Sequence, residues 1–281
     1  MASLLHAYGP SCLQNENALM IFHDHCLLWV SCSVVHRQPS IYSKWPWREV
    51  NWPKMTVPSR NSTRQLLAIC EPIPGLLQEY DEIVNSVASP AITMSLLHRL
   101  VTLIAEIQAL NLPFGYNDPA KDQPTCGDQS TLADDQSSLT ALTRAILNGY
   151  ASAFIIHTAV TALSIAQTLA REEATSLNLN TPELSLERLK SLCGHHTGAV
   201  RGVVDGLISE RYGLMTASPV LFFLDSAWIG YAALVNCSNH VDIIEKAWFE
   251  KVSGLVERTG YRPLRKPWND TDNRSMISKE P

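Results

Sequence analysis

The sequence has no CxxC pair, no basic cluster larger than Arg262, Arg265 and Lys266, and no stretch in which apolar and polar residues alternate. Each absence removes a class of protein. The seven cysteines (Cys12, Cys26, Cys32, Cys70, Cys126, Cys193 and Cys237) are odd in number and irregularly spaced, which argues against a disulfide framework and for a reduced compartment. With 22 basic against 27 acidic residues and a formal charge of −5, nothing favours direct binding to the phosphates of a nucleic acid. The missing alternation leaves no candidate for a half-buried strand ladder. The opening residues, "MASLLHAYGPSCLQNENALMIF", lack the basic head and long apolar run of a secretory signal, so none is expected.

Catalytic fingerprints are also missing. There is no G-x-S-x-G elbow, no P-loop, and no G-x-G-x-x-G following a strand, so no nucleotide cofactor is expected. Two groups contain metal-ligating residues: "HDHC", with His23, Asp24, His25 and Cys26, and "CGHHTG", with Cys193, His195 and His196. Zinc sites take four tetrahedral ligands, usually as spaced pairs joined by a turn. Consecutive residues on a helix diverge, so "HDHC" is a poor chelate. The "CGHHTG" run reads as a polar turn preceding a helix, and no metal is expected.

Charge is absent from one long segment. Between Arg144 and Arg171 lie 26 residues without Asp, Glu, Lys or Arg, long enough to cross a bilayer. The same segment carries Asn148, Ser152, His157, Thr158, Thr161, Ser164, Gln167 and Thr168, more polarity than a lipid-facing helix usually holds. A helix buried on most sides within an all-α domain is therefore preferred, and a membrane span over 146–170 is the rival.

What is present is helical periodicity. Apolar residues make up 46% of the chain, enough for a sizeable core. Residues 1–59 are read as an irregular extension. Within it Ala18–Val35 is apolar enough for a helix or a buried strand, and Trp45, Trp47 and Trp52 interleave with Pro46, Pro53 and Pro58. Prolines at that density favour an extended path, which the tryptophans would pin to an apolar surface.

From Asn61 onward the stripes recur every three or four residues. "NSTRQLLAIC" is expected to be capped at Asn61 or Ser62. In "ICEPIPGLLQEYDEI", Pro72 and Pro74 would fix the approach to a helix that starts after a turn at Gly75. Glu79, Asp81 and Glu82 would lie on its wet face near the positive end of the dipole. Ser89 and Pro90 open the next helix, whose stripe runs from Ile92 through Leu96, Leu100, Leu103, Ile104 and Ile107 to Leu110. A Gly-, Pro- and Asp-rich loop over 115–136 follows. Leu139–Arg171 is one long helix or a pair broken at Gly149, and a linker with a short helix precedes a helix over Gly198–Arg211. Ser218 and Pro219 open another. The last helix, about Asn239 to Thr259, is expected to bury Trp248, Val252, Leu255 and Val256 and to stop at Gly260. The expectation is an all-α, bundle-like domain over 60–265 with a disordered tail over 266–281.

Asp225 is the most informative single charge, because "VLFFLDSAWIGYAAL" surrounds it with large apolar side chains. A carboxylate there is paired, hydrogen-bonded to a neighbouring helix, or shifted in a pocket. A structural Asp is the plainer account, and a pocket Asp the sharper one. Arg99 and Glu106 read as solvated charges. The three tryptophans form either an aromatic cage or, more plainly, anchors for the arm.

The order Trp45–Pro46–Trp47, "STRQLLAICEPIPGLLQEYDEI", "YGLMTASPVLFFLDSAWIGYAAL" and "AWFEKVSGLVERTGYRPL" resembles the C-terminal regulatory region of fungal-specific transcription factors of the zinc-cluster type, over about residues 40–265. Such proteins usually carry an N-terminal module of six cysteines that hold two zinc ions amid a basic run. Cys12, Cys26 and Cys32 do not have that spacing, and the first 60 residues are not basic. The resemblance therefore implies an all-helical regulatory domain without its own DNA reader. The same resemblance implies a nuclear location, with the cytoplasm as alternative, and a link to metabolic or secondary-metabolite gene clusters. Its partners would be the transcription machinery, a zinc-cluster regulator or a second copy, and it would have no turnover. The rivals are a helical-bundle enzyme or small-molecule binder that uses Asp225 or His195 and His196 in an internal pocket, and the membrane protein.

Overall fold

The computed structural model describes residues 9–43, 47, 58–86, 89–110, 131–172, 185–208, 217–238 and 243–258. Among the described residues the chain is all-α. These residues form eight α-helices, α1 (Glu16–His36), α2 (Pro58–Cys70), α3 (Ile73–Val84), α4 (Pro90–Ala109), α5 (Thr131–Glu172), α6 (Leu186–Ile208), α7 (Ala217–Ser238) and α8 (Ile243–Arg258), with short 3-10 turns at Pro10–Gln14, before α1, and Ile41–Ser43, after it, and no strand among the described residues.

The spine is α5. Its 42 residues make a rod of about 63 Å, and it packs on α6, α7 and α4 most extensively. One apolar cluster surrounds its middle, where Phe154 and Ile156 meet Phe22 of α1, Leu66 of α2, Val200 of α6 and Phe223 of α7. A second surrounds its C-terminal third, where Leu163, Ile165 and Leu169 join Leu76 of α3, Leu97 and Leu100 of α4, and Leu189 of α6. The helix therefore needs no charge over 145–170, because 72% of its apolar span is covered by other helices.

Several local expectations are corrected by this packing. The helix does not break at Gly149, and it starts at Thr131, inside the segment expected to be a loop. A Cβ at Gly149 would lie 2.6 Å from the Phe223 ring and 3.1 Å from Val203 Cγ1, so glycine there permits close approach of three helices. The "CGHHTG" run is not a turn. It is the third and fourth turns of α6, where Leu189, Cys193, Thr197, Val200, Val204 and Leu207 form one unbroken buried stripe. That stripe outweighs the cost of two helical glycines, about 1 kcal/mol each.

At α3 the helix starts at Ile73, so Gly75 lies inside its first turn, and no acidic residue falls in that turn. The three acids do not simply face water. Asp81 pairs with Arg37, Glu79 with Arg99 of α4, and Glu82 accepts from Gln78. Arg99 is thus an interhelix partner as well as a solvated charge. Asn61 and Ser62 are interior to α2 and do not cap it. Ile92 and Val84 are 51% and 63% exposed, off the buried stripes of their helices. Ser89 and Pro90 stand at the start of α4 as expected.

The N-terminal extension is less irregular than its composition suggests. Phe22, Cys26, Val30 and Val34, four apart, form a fully buried stripe of α1, which packs on α2, α3, α5 and α7. Trp47 is held as expected for a pinned arm, stacked on Phe22 at 6.3 Å and edge-on to Tyr42 at 5.7 Å. Trp45, Trp52, Asn239, Gly260 and the tail over 266–281 lie outside the described residues.

Candidate functional site

The polar residues of α5 are consumed locally before they meet other helices. Thr158, Thr161, Ser164 and Thr168 each donate a hydroxyl proton to the carbonyl four residues earlier, at 2.8–3.0 Å. This back-bonding lets a hydroxyl sit in an apolar bundle without a desolvation penalty. Ser152 and His157 reach across to neighbouring helices, each in a Ser–His pair, and Ser164 also meets the Tyr80 hydroxyl of α3.

On the α7 side, His157 Nε2 lies 3.1 Å from Ser226 Oγ. Ser226 donates its own proton to the Phe222 carbonyl at 2.7 Å. The serine oxygen is therefore the acceptor for the imidazole, and His157 carries its proton on Nε2. The His157 ring also lies parallel to Phe222, within 2° and 5.5 Å. On the α6 side, His196 Nδ1 lies 3.3 Å from Ser152 Oγ. Burial, and to a lesser extent the neighbouring His195, push the His196 imidazole down from 6.5 to about 4. His196 is thus a neutral histidine in the core near pH 7.

Next to these pairs α6 and α7 nearly touch. A Cβ placed on Gly230 would sit 2.2 Å from Thr197 Oγ1 and 3.1 Å from Ile156 Cγ2. Gly230 is what lets α7 cross α5 and α6 at this level.

A hydroxyl beside an imidazole is the raw material of a nucleophile and base. Here the geometry opposes that use. Ser226 has already given its proton to a carbonyl, and Ser152, His157, His196 and Ser226 are all buried, so a substrate has no approach to either hydroxyl. The arrangement fastens α5 to its two flanking helices.

Asp225 is 4% exposed. It shares a side of α7 with Leu221 and Ile229, four positions either way, and is turned about 140° from Gly230, where α7 meets α6. The α7 face beside the His196 turn is therefore not the face that carries Asp225. His195 and His196 diverge, the first exposed and the second buried, with ring planes at 86°. Cys193 and Cys26 are fully buried, while His25 is exposed. Among the described residues no group of three or more His, Cys, Asp or Glu comes together.

Sequence reasoning singled out His195, His196 and Asp225 but missed Ser152, His157 and Ser226. The signal for two of these was available, since Ser152 and His157 are polar residues inside the charge-free run.

The last helix is fastened by a different pairing. Trp248 Nε1–H donates to Asp205 Oδ1 at 2.7 Å, and the Arg201 guanidinium lies over the Trp248 ring at 5.4 Å. Phe249 meets Trp228 and Tyr231 edge-on or tilted. No protein-family model, no curated protein and no solved structure matches the chain.

Proposed function

We propose that this chain is a regulatory helical domain that works by binding proteins, of the kind that lies C-terminal to the DNA reader in fungal zinc-cluster transcription factors. Its partners on this reading are a zinc-cluster regulator, the transcription machinery or a second copy, its place is the nucleus, and its targets are metabolic or secondary-metabolite genes. The observation that carries the reading is the use made of the reactive side chains. Both Ser–His pairs are buried and join helices, which supports a domain that works through its helix surfaces. The resemblance over residues 40–265 supplies the biological direction.

The test is to fuse the chain to a heterologous DNA-binding domain in fungal cells and read reporters of activation and repression. A change in one of them is expected, and no change in either overturns the proposal. The purified chain should also fail to shift DNA in a gel. Tight, salt-sensitive DNA binding would count against a domain without a reader.

One observation favours the membrane rival. Pro90–Ala109, Ala141–Arg171 and Ser218–Asn236 are long and apolar enough to cross a bilayer. The outward side of α4, however, carries Ser95, His98, Arg99, Thr102, Glu106 and Gln108, which a lipid face does not tolerate. Purification as a monodisperse species without detergent is expected. Recovery only from detergent-extracted membranes would transfer the case to the rival.

A further inference from the structure

His196 is the middle of a contact that is tightly built on one side and loosely built on the other. Its inner side is the α5–α6 interface, where the imidazole meets Ser152 at 3.3 Å and is itself 2% exposed. Its own helix is weak at this level. Gly194 and Gly198 stand two positions either side of it. A Cβ at Gly198 would meet nothing within 4 Å, and one at Gly194 only Leu234 Cδ1 at 3.8 Å. Packing therefore requires neither glycine, and each leaves the turn about 1 kcal/mol less stable than alanine would. Gly202 and Gly206 continue the spacing down the same helix.

Among the described residues, the titratable groups near this level include Tyr150 and His157 on α5, Asp225 and Tyr231 on α7, and Cys193 and His195 on α6 itself, with Lys190 and Arg201 farther along α6. Burial raises the Tyr150 hydroxyl, which keeps it neutral. The His157 Nε2–H is engaged with Ser226. Cys193 is fully buried. Asp225 lies on the side of α7 turned from the Gly230 crossing. His195, exposed and with its ring centroid 5.0 Å from that of His196, adds a like charge when both are protonated.

We propose that the α5–α6 contact is an acid-sensitive catch, in which protonation of His196 releases the glycine-flanked middle of α6 from Ser152 while α5 stays folded. The charged imidazole is more stable in water than between two helices. The Gly194–Gly198 turn offers a low-cost way out, since opening it breaks fewer good helical residues than opening a glycine-free turn of the same helix. The catch is closed when His196 is neutral. It opens at a pH below the ordinary histidine range, because the proton must first overcome burial.

Hydrogen exchange of the full chain between pH 6.5 and 4.5, corrected for the pH dependence of intrinsic exchange, reads this directly. Amides over residues 192–204 should lose protection by tens of fold while those over 150–166 keep theirs. The His196→Gln variant, neutral throughout and able to bond Ser152, should abolish the loss. In the wild-type protein the His196 ring, followed by NMR, should titrate at the same pH as the exchange change, which keeps the test decisive if the variant folds poorly. A His196 that titrates with 192–204 still protected overturns the catch. So does a His196→Gln protein that opens at the wild-type pH.

Discussion

Arg37 Nε donates to Asp81 Oδ2 at 2.6 Å, tying the end of α1 to the third turn of α3. The same guanidinium donates to the Leu77 carbonyl at 3.2 Å and lies over the Tyr80 ring at 5.6 Å. Arg37 also terminates α1 in a left-handed conformation, φ 52°. The amides of Arg37 and Gln38 turn back to the carbonyls of Val34 and Ser33, the Schellman pattern that glycine normally occupies. One residue thus carries a backbone cost of about 1 kcal/mol and offsets it with three side-chain contacts.

This makes opposite expectations for two small substitutions. Arg37→Ala keeps the left-handed strain and loses the contacts, so urea unfolding should show a loss of about 1–2 kcal/mol. Arg37→Gly loses the same contacts but relieves the backbone, and should stay within about 0.5 kcal/mol of wild type. The pair is half-exposed, which keeps both figures small. An Arg37→Gly protein less stable than Arg37→Ala would contradict the account.

Two glycines of the bundle should respond in opposite ways to alanine. Gly230→Ala places a methyl against Thr197 Oγ1 and Ile156 Cγ2, and overpacking there should lower stability by about 1–3 kcal/mol. Gly198→Ala adds its methyl to open space and should raise stability by about 0.5–1 kcal/mol through helix propensity. Thermal or urea unfolding of the two variants checks both signs, and equal effects would mean that the α6–α7 crossing is not as close as described.

Acid should weaken the protein through His196. Its folded-state value is about 4 against 6.5 when exposed, so the unfolded chain binds the extra proton first. The contribution of this site to stability is complete above about pH 6.5 and falls as the pH drops towards 4. The total loss is up to about 3 kcal/mol. Urea titrations at pH 7 and pH 4.5 should differ accordingly, and the difference should shrink in His196→Gln. An identical pH dependence in the two proteins would remove His196 as the cause.

The last helix should be separable from the rest. Trp248→Phe removes the Nε1–H that meets Asp205 and thins the surface under Arg201, at a cost of about 1–2 kcal/mol. Limited proteolysis should then cut within 243–258 sooner, while α5 remains intact. Unchanged cleavage would mean that Phe249, against Trp228 and Tyr231, holds α8 without help.

The helical class was legible because apolar stripes at three- and four-residue spacing can be buried only by coiling. Leu96, Leu100, Ile104 and Ile107 on α4, and Trp248, Val252 and Val256 on α8, lie buried as their spacing predicts. The errors cluster where local preference and tertiary contact disagree. Gly194 and Gly198 argue for a turn, yet the stripe from Leu189 to Leu207 carries α6 straight through them. Gly149 argues for a break, yet the Phe223 ring occupies the space a side chain would need. Pro74 and Gly75 look like an approach segment, yet proline suits a first helical turn and the helix simply begins three residues earlier, at Ile73. Ser152 and His196 are 44 positions apart, and no spacing rule links them.

Sequence alone determined that this chain is built of helices with a charge-free central one, since periodicity and composition act within each segment. Only the tertiary structure decided which polar residues meet, which glycines are required by contact and which are merely soft. Those outcomes depend on the level and side at which one helix crosses another, and that is set by the summed packing of the whole bundle rather than by any single run of residues.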